Sequence, residues 1–134
     1  KKGYTLLSYI SRHSIHFGDT ILGPNSFVFE GNILQHDVQI GKGVILGRGN
    51  SIGHDSTIED YAFLANRSVL CGHNHIGEQA FIGSNATLMD GVRLAPRTLV
   101  GAAAFIKRDT QEGDVFVTPQ TPKSSKKSHE YFCW

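Results

Sequence analysis

A repeat with a period of six residues is the feature that most constrains how this chain folds. Leucine, isoleucine or valine fills every sixth position fifteen times in succession, although these three residue types account for only 29 of the 134 residues. The ladder positions are Leu22, Val28, Leu34, Ile40, Leu46, Ile52, Ile58, Leu64, Leu70, Ile76, Ile82, Leu88, Leu94, Val100 and Ile106. Neither an α-helix, with about 3.6 residues per turn, nor an ordinary strand, with alternating faces, produces this pattern. It indicates stacked repeats that share one continuous core.

The other positions of each hexad suit the turns of a triangular coil. Seven ladder residues are followed directly by glycine, which we interpret as relief for the backbone where the chain bends; these are Gly23, Gly41, Gly47, Gly53, Gly77, Gly83 and Gly101. The residue two positions before each ladder residue from Val28 onward is small. Three hexads make a coil of 18 residues, and stacking such coils at the strand spacing of about 4.8 Å buries the ladder inside a prism.

The sequence therefore predicts an all-β fold, a parallel β-helix that forms a single domain. We expect an entry strand and an irregular first coil in residues 1–21, the hexapeptide repeat in 22–106, and a closing segment with an exposed tail in 107–134. The repeat is long enough for between four and five coils.

Composition narrows the range of partners. The chain is 40% hydrophobic and 19% charged, with a formal net charge of +1. This balance gives no electrostatic footprint for nucleic acid. No stretch approaches the roughly 20 apolar residues of a membrane span, and residues 1–15 lack the apolar core of a signal peptide. We expect a cytoplasmic protein with no nucleic-acid or membrane partner.

Histidines give the first indication of chemistry. His36 and His54 each lie two residues after a ladder position and are 18 residues apart, so the coil predicts that they stack on one face. Each is followed by an aspartate, Asp37 or Asp55. One coil further along the column lies Gly72, whose backbone N–H we expect to be reachable beside His54. A base beside an exposed amide donor suits acyl transfer.

Residues 50–110, which run from NSIGHDSTIED to VGAAAFIKRDT, resemble the hexapeptide-repeat acyltransferases of left-handed parallel β-helix fold. The likeness is greatest to bacterial sugar O- and N-acetyltransferases of the sialic-acid and bacillosamine type, and the entry segment 3–11 also resembles those proteins. The resemblance implies transfer of an acetyl group from acetyl-CoA to a sugar or nucleotide-sugar by a homotrimer whose sites lie between subunits. The left-handed sense is implied by the resemblance alone, since parallel crossovers are usually right-handed.

The resemblance also assigns roles to residues. It implies that His54 is the catalytic base, that Asp55 is its acidic neighbour, and that the Gly72 amide faces the thioester carbonyl. The implied cofactor-binding residues are Gly72, Ala102, Lys107 and Arg108, with Arg97 a further candidate for the coenzyme phosphates. His36 and His73 are candidates for the acceptor pocket, and His75 points the same way as His73.

The chain departs from the pattern of these acyltransferases at three places. A histidine that some members carry nine residues after the base is Phe63 here, and a late Gly-x-Pro turn is replaced by residues 118–120, Thr-Pro-Gln. The sugar-binding βαβ domain that precedes the helix in similar proteins has no counterpart in this sequence. Either it was removed, or the acceptor differs.

Two other functions fit a β-helix. The γ-type carbonic anhydrases use the same helix with three histidines around zinc, but this chain has Asp60 and Cys71 where they tend to have histidines, so we expect no metal. Zinc could still be bound by a histidine, an aspartate and a cysteine in place of the three histidines, or by His73 together with His75. A non-catalytic trimeric scaffold is the third possibility.

Overall fold

The computed structural model describes residues 3–130, and its 18 two-residue strands stack as the coils of a triangular prism. The strands are β1 (Tyr9–Ile10), β2 (Ile15–His16), β3 (Ile21–Leu22), β4 (Phe27–Val28), β5 (Ile33–Leu34), β6 (Gln39–Ile40), β7 (Ile45–Leu46), β8 (Ser51–Ile52), β9 (Thr57–Ile58), β10 (Phe63–Leu64), β11 (Val69–Leu70), β12 (His75–Ile76), β13 (Phe81–Ile82), β14 (Thr87–Leu88), β15 (Arg93–Leu94), β16 (Leu99–Val100), β17 (Phe105–Ile106) and β18 (Val115–Phe116). Sheet A has the order β1-β4-β7-β10-β13-β16-β18, sheet B the order β2-β5-β8-β11-β14-β17, and sheet C the order β3-β6-β9-β12-β15.

All strand pairs are parallel, and the register follows the coil length. Phe63 pairs with Ile45 on one side and Phe81 on the other, an offset of 18 residues in each direction. The offset is shorter only at the last pair, where Leu99 lies opposite Val115. The predicted all-β, left-handed parallel β-helix is confirmed.

The core is the aliphatic ladder. Each ladder residue is the second residue of its strand, and those from Val28 to Ile106 are at most 5% exposed. Leu22 is only partly buried and packs against the core together with Ile10 and Phe116. A column of aliphatic side chains along the axis therefore holds the coils together through the hydrophobic effect.

The two ends of the prism compare differently with the expected layout, since only the first coil departs from it. The entry strand β1 covers only Tyr9–Ile10, and the coil after it is regular, because β2 pairs with β5 and carries His16 at a ladder position. At the other end β18 pairs with β16 as a closing strand. Within residues 3–130 the one helix is the three-residue 3₁₀ turn Ser128–Glu130, and none is long and apolar enough to cross a membrane.

The glycines that follow the ladder residues have a different role from the predicted relief of a backbone bend. The left-handed residue of each turn lies three positions after the ladder residue, and in the turn of His54 it is Asp55, with φ of 55°. The glycines directly after the ladder have no positive φ. A Cβ on Gly53 would instead lie 2.5 Å from backbone atoms of Cys71 and Gly72 in the next coil. These glycines serve the close approach of coils and not the bend.

Candidate active site

The predicted catalytic residues lie on one edge of the prism, where the chain passes from sheet B to sheet C. We call this edge the His54 corner; it comprises turns 17–20, 35–38, 53–56, 71–74 and 89–92, and the segment 107–110 after β17. His54 and Gly72 occupy the same place in successive turns, as the hexad spacing predicts.

His54 is held by the residue that follows it. Its Nδ1 lies 2.7 Å from Asp55 Oδ2. Because an ionised carboxylate only accepts hydrogen bonds, Nδ1 carries the proton and donates it to Asp55. The other ring nitrogen, Nε2, is then left with a lone pair, as a general base requires. The left-handed backbone at Asp55 is a conformation that aspartate adopts more readily than most residues.

Gly72 provides the space beside this nitrogen. A Cβ there would lie 3.2 Å from His54 Nε2 and 2.9 Å from Asp90 Oδ1, and the φ of Gly72 is 142°. Both observations require glycine. Its amide, however, donates to the buried Asn74 Oδ1 at 3.2 Å. A role as oxyanion donor therefore requires this N–H to exchange Asn74 for the thioester oxygen.

The structure adds Asp90, a residue that the motif did not single out. Asp90 lies one coil beyond Gly72, and its Oδ1 is 3.3 Å from His73 Nδ1. His73 Nε2 lies 3.5 Å from Asp55 Oδ2, and the rings of His73 and His54 meet edge to face at 4.6 Å between centroids. His73 thus belongs to the same cluster as His54. The spacing of 36 residues between His54 and Asp90 was the signal that could have found it.

The cluster is open on the isolated chain. The side chains of His54, Asp55, His73 and Asp90 are 46%, 50%, 56% and 61% exposed, respectively. A reaction that excludes water needs a second surface over them.

His36, the other acceptor candidate, has different partners. Its Nδ1 lies 2.8 Å from Asp19 Oδ2, and its ring stacks on Phe17 at 3.9 Å. The hydrogen bond with His36 lowers the pKa of Asp19. His36 therefore forms a separate pair at the beginning of the His54 corner.

The coenzyme candidates are spread over all three edges of the prism. Lys107 and Arg108 lie on the His54 corner and line a surface depression of about 340 Å³, where the Lys107 ammonium sits 5.3 Å from the Phe105 ring centroid. Ala102 lies in the turn between sheets A and B, across sheet B from His54. Arg97 lies on the edge between sheets C and A and is paired with Glu112. One copy of the chain does not bring Ala102 and His54 together.

The residues considered for zinc are also separated. His75 Nε2 lies 2.8 Å from Glu59 Oε1 on sheet C, whereas His73 faces Asp55 and Asp90. Cys71 is a free, exposed thiol. Cys133 lies outside the described residues.

No protein-family model and no curated protein sequence matches this chain. Solved structures do match. PerB from Caulobacter crescentus, in complex with CoA and GDP-perosamine, is 28% identical with a TM-score of 0.83, over 84% of this chain and 55% of that one. This chain shares the fold of sugar N-acetyltransferases. The resemblance predicted from residues 50–110 is therefore confirmed at the level of the fold.

Two further structures extend the comparison. The acetyltransferase domain of PglB from Neisseria gonorrhoeae is 24% identical with a TM-score of 0.82, over 84% of this chain and 55% of that one. AntD, an N-acyltransferase from Bacillus cereus solved with dTDP and coenzyme A, is 16% identical with a TM-score of 0.76, over 91% of this chain and 82% of that one. At these identities the likeness concerns the fold alone. The chain spans about half the length of the first two proteins.

Proposed function

We propose that this chain transfers an acetyl group from acetyl-CoA to an amino or hydroxyl group of a sugar or nucleotide-sugar, with His54 as general base. The observation that carries the proposal is the pair formed by His54 and Asp55, 2.7 Å apart, which leaves the His54 Nε2 lone pair facing the space kept open by Gly72. A neutral imidazole oriented by a carboxylate is suited to removing a proton at neutral pH.

The chemistry needs few groups. His54 Nε2 takes the proton of the acceptor amine or hydroxyl as its nitrogen or oxygen bonds to the acetyl carbonyl carbon. The tetrahedral intermediate then collapses, the carbon–sulfur bond breaks, and the departing thiolate receives the proton from His54. Asp55 stabilises the imidazolium formed between these steps. The Gly72 amide, released from Asn74, serves as the oxyanion donor.

The comparisons support both substrates. PerB binds CoA and GDP-perosamine, and the PglB domain has been solved with acetyl coenzyme A. The PerB structure, at 28% identity, provides the stronger support.

A homotrimer completes the site. The outward residues of sheet A form a continuous apolar stripe, and the Phe63 and Phe81 rings stack at 5.4 Å; the stripe comprises Tyr9, Phe27, Ile45, Phe63, Phe81, Leu99 and Val115. The outward positions of sheet C are mainly polar, including Gln39, Thr57 and Arg93. In a closed ring each subunit contributes two different surfaces.

We place sheet A of one subunit against sheet C of the next. Sheet A ends at the turn that carries Ala102, and sheet C begins at the His54 corner. This arrangement brings Ala102 of one copy beside His54 of its neighbour. Acetyl-CoA then lies in the groove between two subunits, near Lys107 and Arg108 of the subunit that supplies the base.

The test is release of the CoA thiol from acetyl-CoA in the presence of a panel of amino sugars and nucleotide-linked amino sugars. The proposal predicts turnover by the native chain and a loss of about a hundredfold to ten-thousandfold in kcat for His54→Ala. His36→Ala is the matched control, because His36 occupies the same turn position one coil earlier but pairs with Asp19. Equal rates for the His54→Ala variant and the native chain would exclude His54 as the base.

A further inference from the structure

Both ring nitrogens of His73 face carboxylates. Nδ1 lies 3.3 Å from Asp90 Oδ1, and Nε2 lies 3.5 Å from Asp55 Oδ2. A neutral imidazole has a single N–H, so it can donate to only one of the two. The other nitrogen presents a lone pair to an anionic oxygen. A cation between them, either a proton on the ring or a metal ion, would make that contact favourable.

The surroundings of this contact fit a metal ion. One ligand atom each from His54, Asp55 and His73 can be chosen so that all three lie within 4.8 Å of one another. Bonds of about 2.0–2.2 Å from zinc to nitrogen and oxygen place ligand atoms roughly 3.3–3.5 Å apart in a tetrahedral site. The Asp55–His73 distance is already 3.5 Å. His54 Nδ1 and Asp55 Oδ2, now 2.7 Å apart around a shared proton, must move apart by less than about 1 Å when the ion replaces that proton. The side chains are about half exposed, so these shifts require no repacking of the core.

The residue behind one of the ligands also fits a metal site. Asp90 is placed to accept a hydrogen bond from His73 Nδ1, which leaves Nε2 as the metal-binding nitrogen. Carboxylates that orient ligating histidines in this way are a regular feature of metal sites. Two imidazoles and one carboxylate with an open position match the preferences of zinc and similar divalent transition metals.

We propose that His54, Asp55 and His73 bind a divalent transition-metal ion such as Zn²⁺, and that the bound ion switches off the base. The ion takes the His54 nitrogen that faces Asp55, Nδ1, and displaces its proton. A neutral imidazole bound through Nδ1 carries its proton on Nε2, which is the nitrogen that must accept the acceptor's proton. Zinc is thus a reversible inhibitor that acts by changing the tautomer of His54. This inhibitory part rests on the proposed function, whereas the binding site does not.

Binding is measured first, by calorimetric titration of Zn²⁺ into the metal-free full chain and by the visible absorption of Co²⁺ added in its place. We expect one ion per chain and a Co²⁺ spectrum of four-coordinate type. His73→Ala removes a ligand and should weaken zinc binding at least tenfold. Asp90→Asn should weaken zinc binding by about tenfold to a hundredfold, as is usual when a hydrogen-bond partner of a ligating histidine is replaced. His75→Ala is the control, because His75 lies two residues from His73 but pairs with Glu59.

The two proposals fail separately. If the His73→Ala and His75→Ala variants bind zinc as the native chain does, the metal site is wrong whatever the enzymatic activity. If the native chain binds zinc as expected but releases no CoA thiol with any acceptor, the acetyltransferase proposal fails and the metal site stands. If thiol release is unchanged when the site is filled, the inhibitory switch is wrong. In an active chain, zinc inhibition should weaken at least tenfold in His73→Ala.

Discussion

Single residues differentiate one turn of the prism from its neighbours. At the place two residues after the ladder, the His54 corner carries His36, His54, Gly72 and Asp90 in successive coils. The strands on either side of these turns pair in the same register, so the chemistry depends on which residue occupies each turn. Glycine in the coil next to His54 opens the space that Nε2 faces, and aspartate in the following coil reaches His73.

Gly72→Ala tests this reading of the corner. The added methyl would lie 3.2 Å from His54 Nε2 and 2.9 Å from Asp90 Oδ1, so we expect thiol release to fall at least tenfold through displacement of the base. Gly91→Ala is the matched control, since Gly91 also has a positive φ but has open space around its Cβ position. That variant should lose about 1–2 kcal/mol of stability with little loss of activity. Equal loss of activity in both variants would show that backbone strain alone is responsible.

The sequence could predict part of this corner. Counting in steps of 18 placed His54 and Gly72 in one column, because the repeat fixes where each Cα lies. It did not predict that His73 turns toward Asp55, since that depends on the left-handed backbone at His73 and on the position of Asp90. Nor did it predict that the Gly72 amide is occupied by Asn74, whose small polar side chain counted only as a corner residue.

At the scale of the coil, two features determine the structure: a buried aliphatic ladder residue in each strand, and turns whose backbone lies close to the backbone of the next coil. Leu64 is fully buried between Leu46 and Ile82 of the adjacent coils. Asn50 adds a polar ladder at a corner, donating to Asn32 Oδ1 and accepting from the Ser68 backbone and hydroxyl. Buried polar groups of this kind are tolerated because they are hydrogen-bonded between coils.

Leu64→Ala should lower the free energy of unfolding by about 2–5 kcal/mol, because it opens a cavity that the stacked backbones cannot close. Denaturant unfolding followed by circular dichroism measures this, with Leu7→Ala as the control, since Leu7 is 77% exposed. A change below about 1 kcal/mol for Leu64→Ala would contradict the assignment of the ladder as the core.

The hexad predicted the elements well where the ladder is unbroken. It missed the regularity of the first coil, because His16 replaces the aliphatic residue although the backbone still pairs through β2 and β5. It also misjudged the glycines after the ladder. Their cause is the approach of the next coil, whose atoms lie 2.4–2.8 Å from the missing Cβ and belong to residues 15 to 19 positions further along the chain.

At the scale of the whole molecule, the three faces of the prism differ. Sheet A presents aromatic and aliphatic residues along its length, with Phe27, Phe63 and Phe81 between 37% and 39% exposed. An extended apolar stripe of this kind is typical of an interface between subunits. The open His54 corner needs a second surface, and the proposed packing of sheet A on sheet C would cover both this corner and the apolar stripe.

Replacing Phe63 and Phe81 together by lysine should convert the proposed trimer to monomers, because two charges would be buried in the proposed interface. Light scattering after size exclusion measures the mass. Ile33→Lys is the control, since Ile33 is 42% exposed on sheet B, which faces solvent in the proposed arrangement. A trimer that survives the double substitution, or that is disrupted by Ile33→Lys, would contradict the use of sheet A.

The central claim is that this prism binds acetyl-CoA at the corner that carries His54. Calorimetric titration of acetyl-CoA into the native chain and into His54→Ala tests it most directly, after the mass in solution has been confirmed. We expect micromolar binding of one acetyl-CoA per chain to both proteins, because the base acts on the acceptor's proton and does not anchor the coenzyme. A folded trimer that shows no detectable heat with acetyl-CoA or with free coenzyme A would contradict the account.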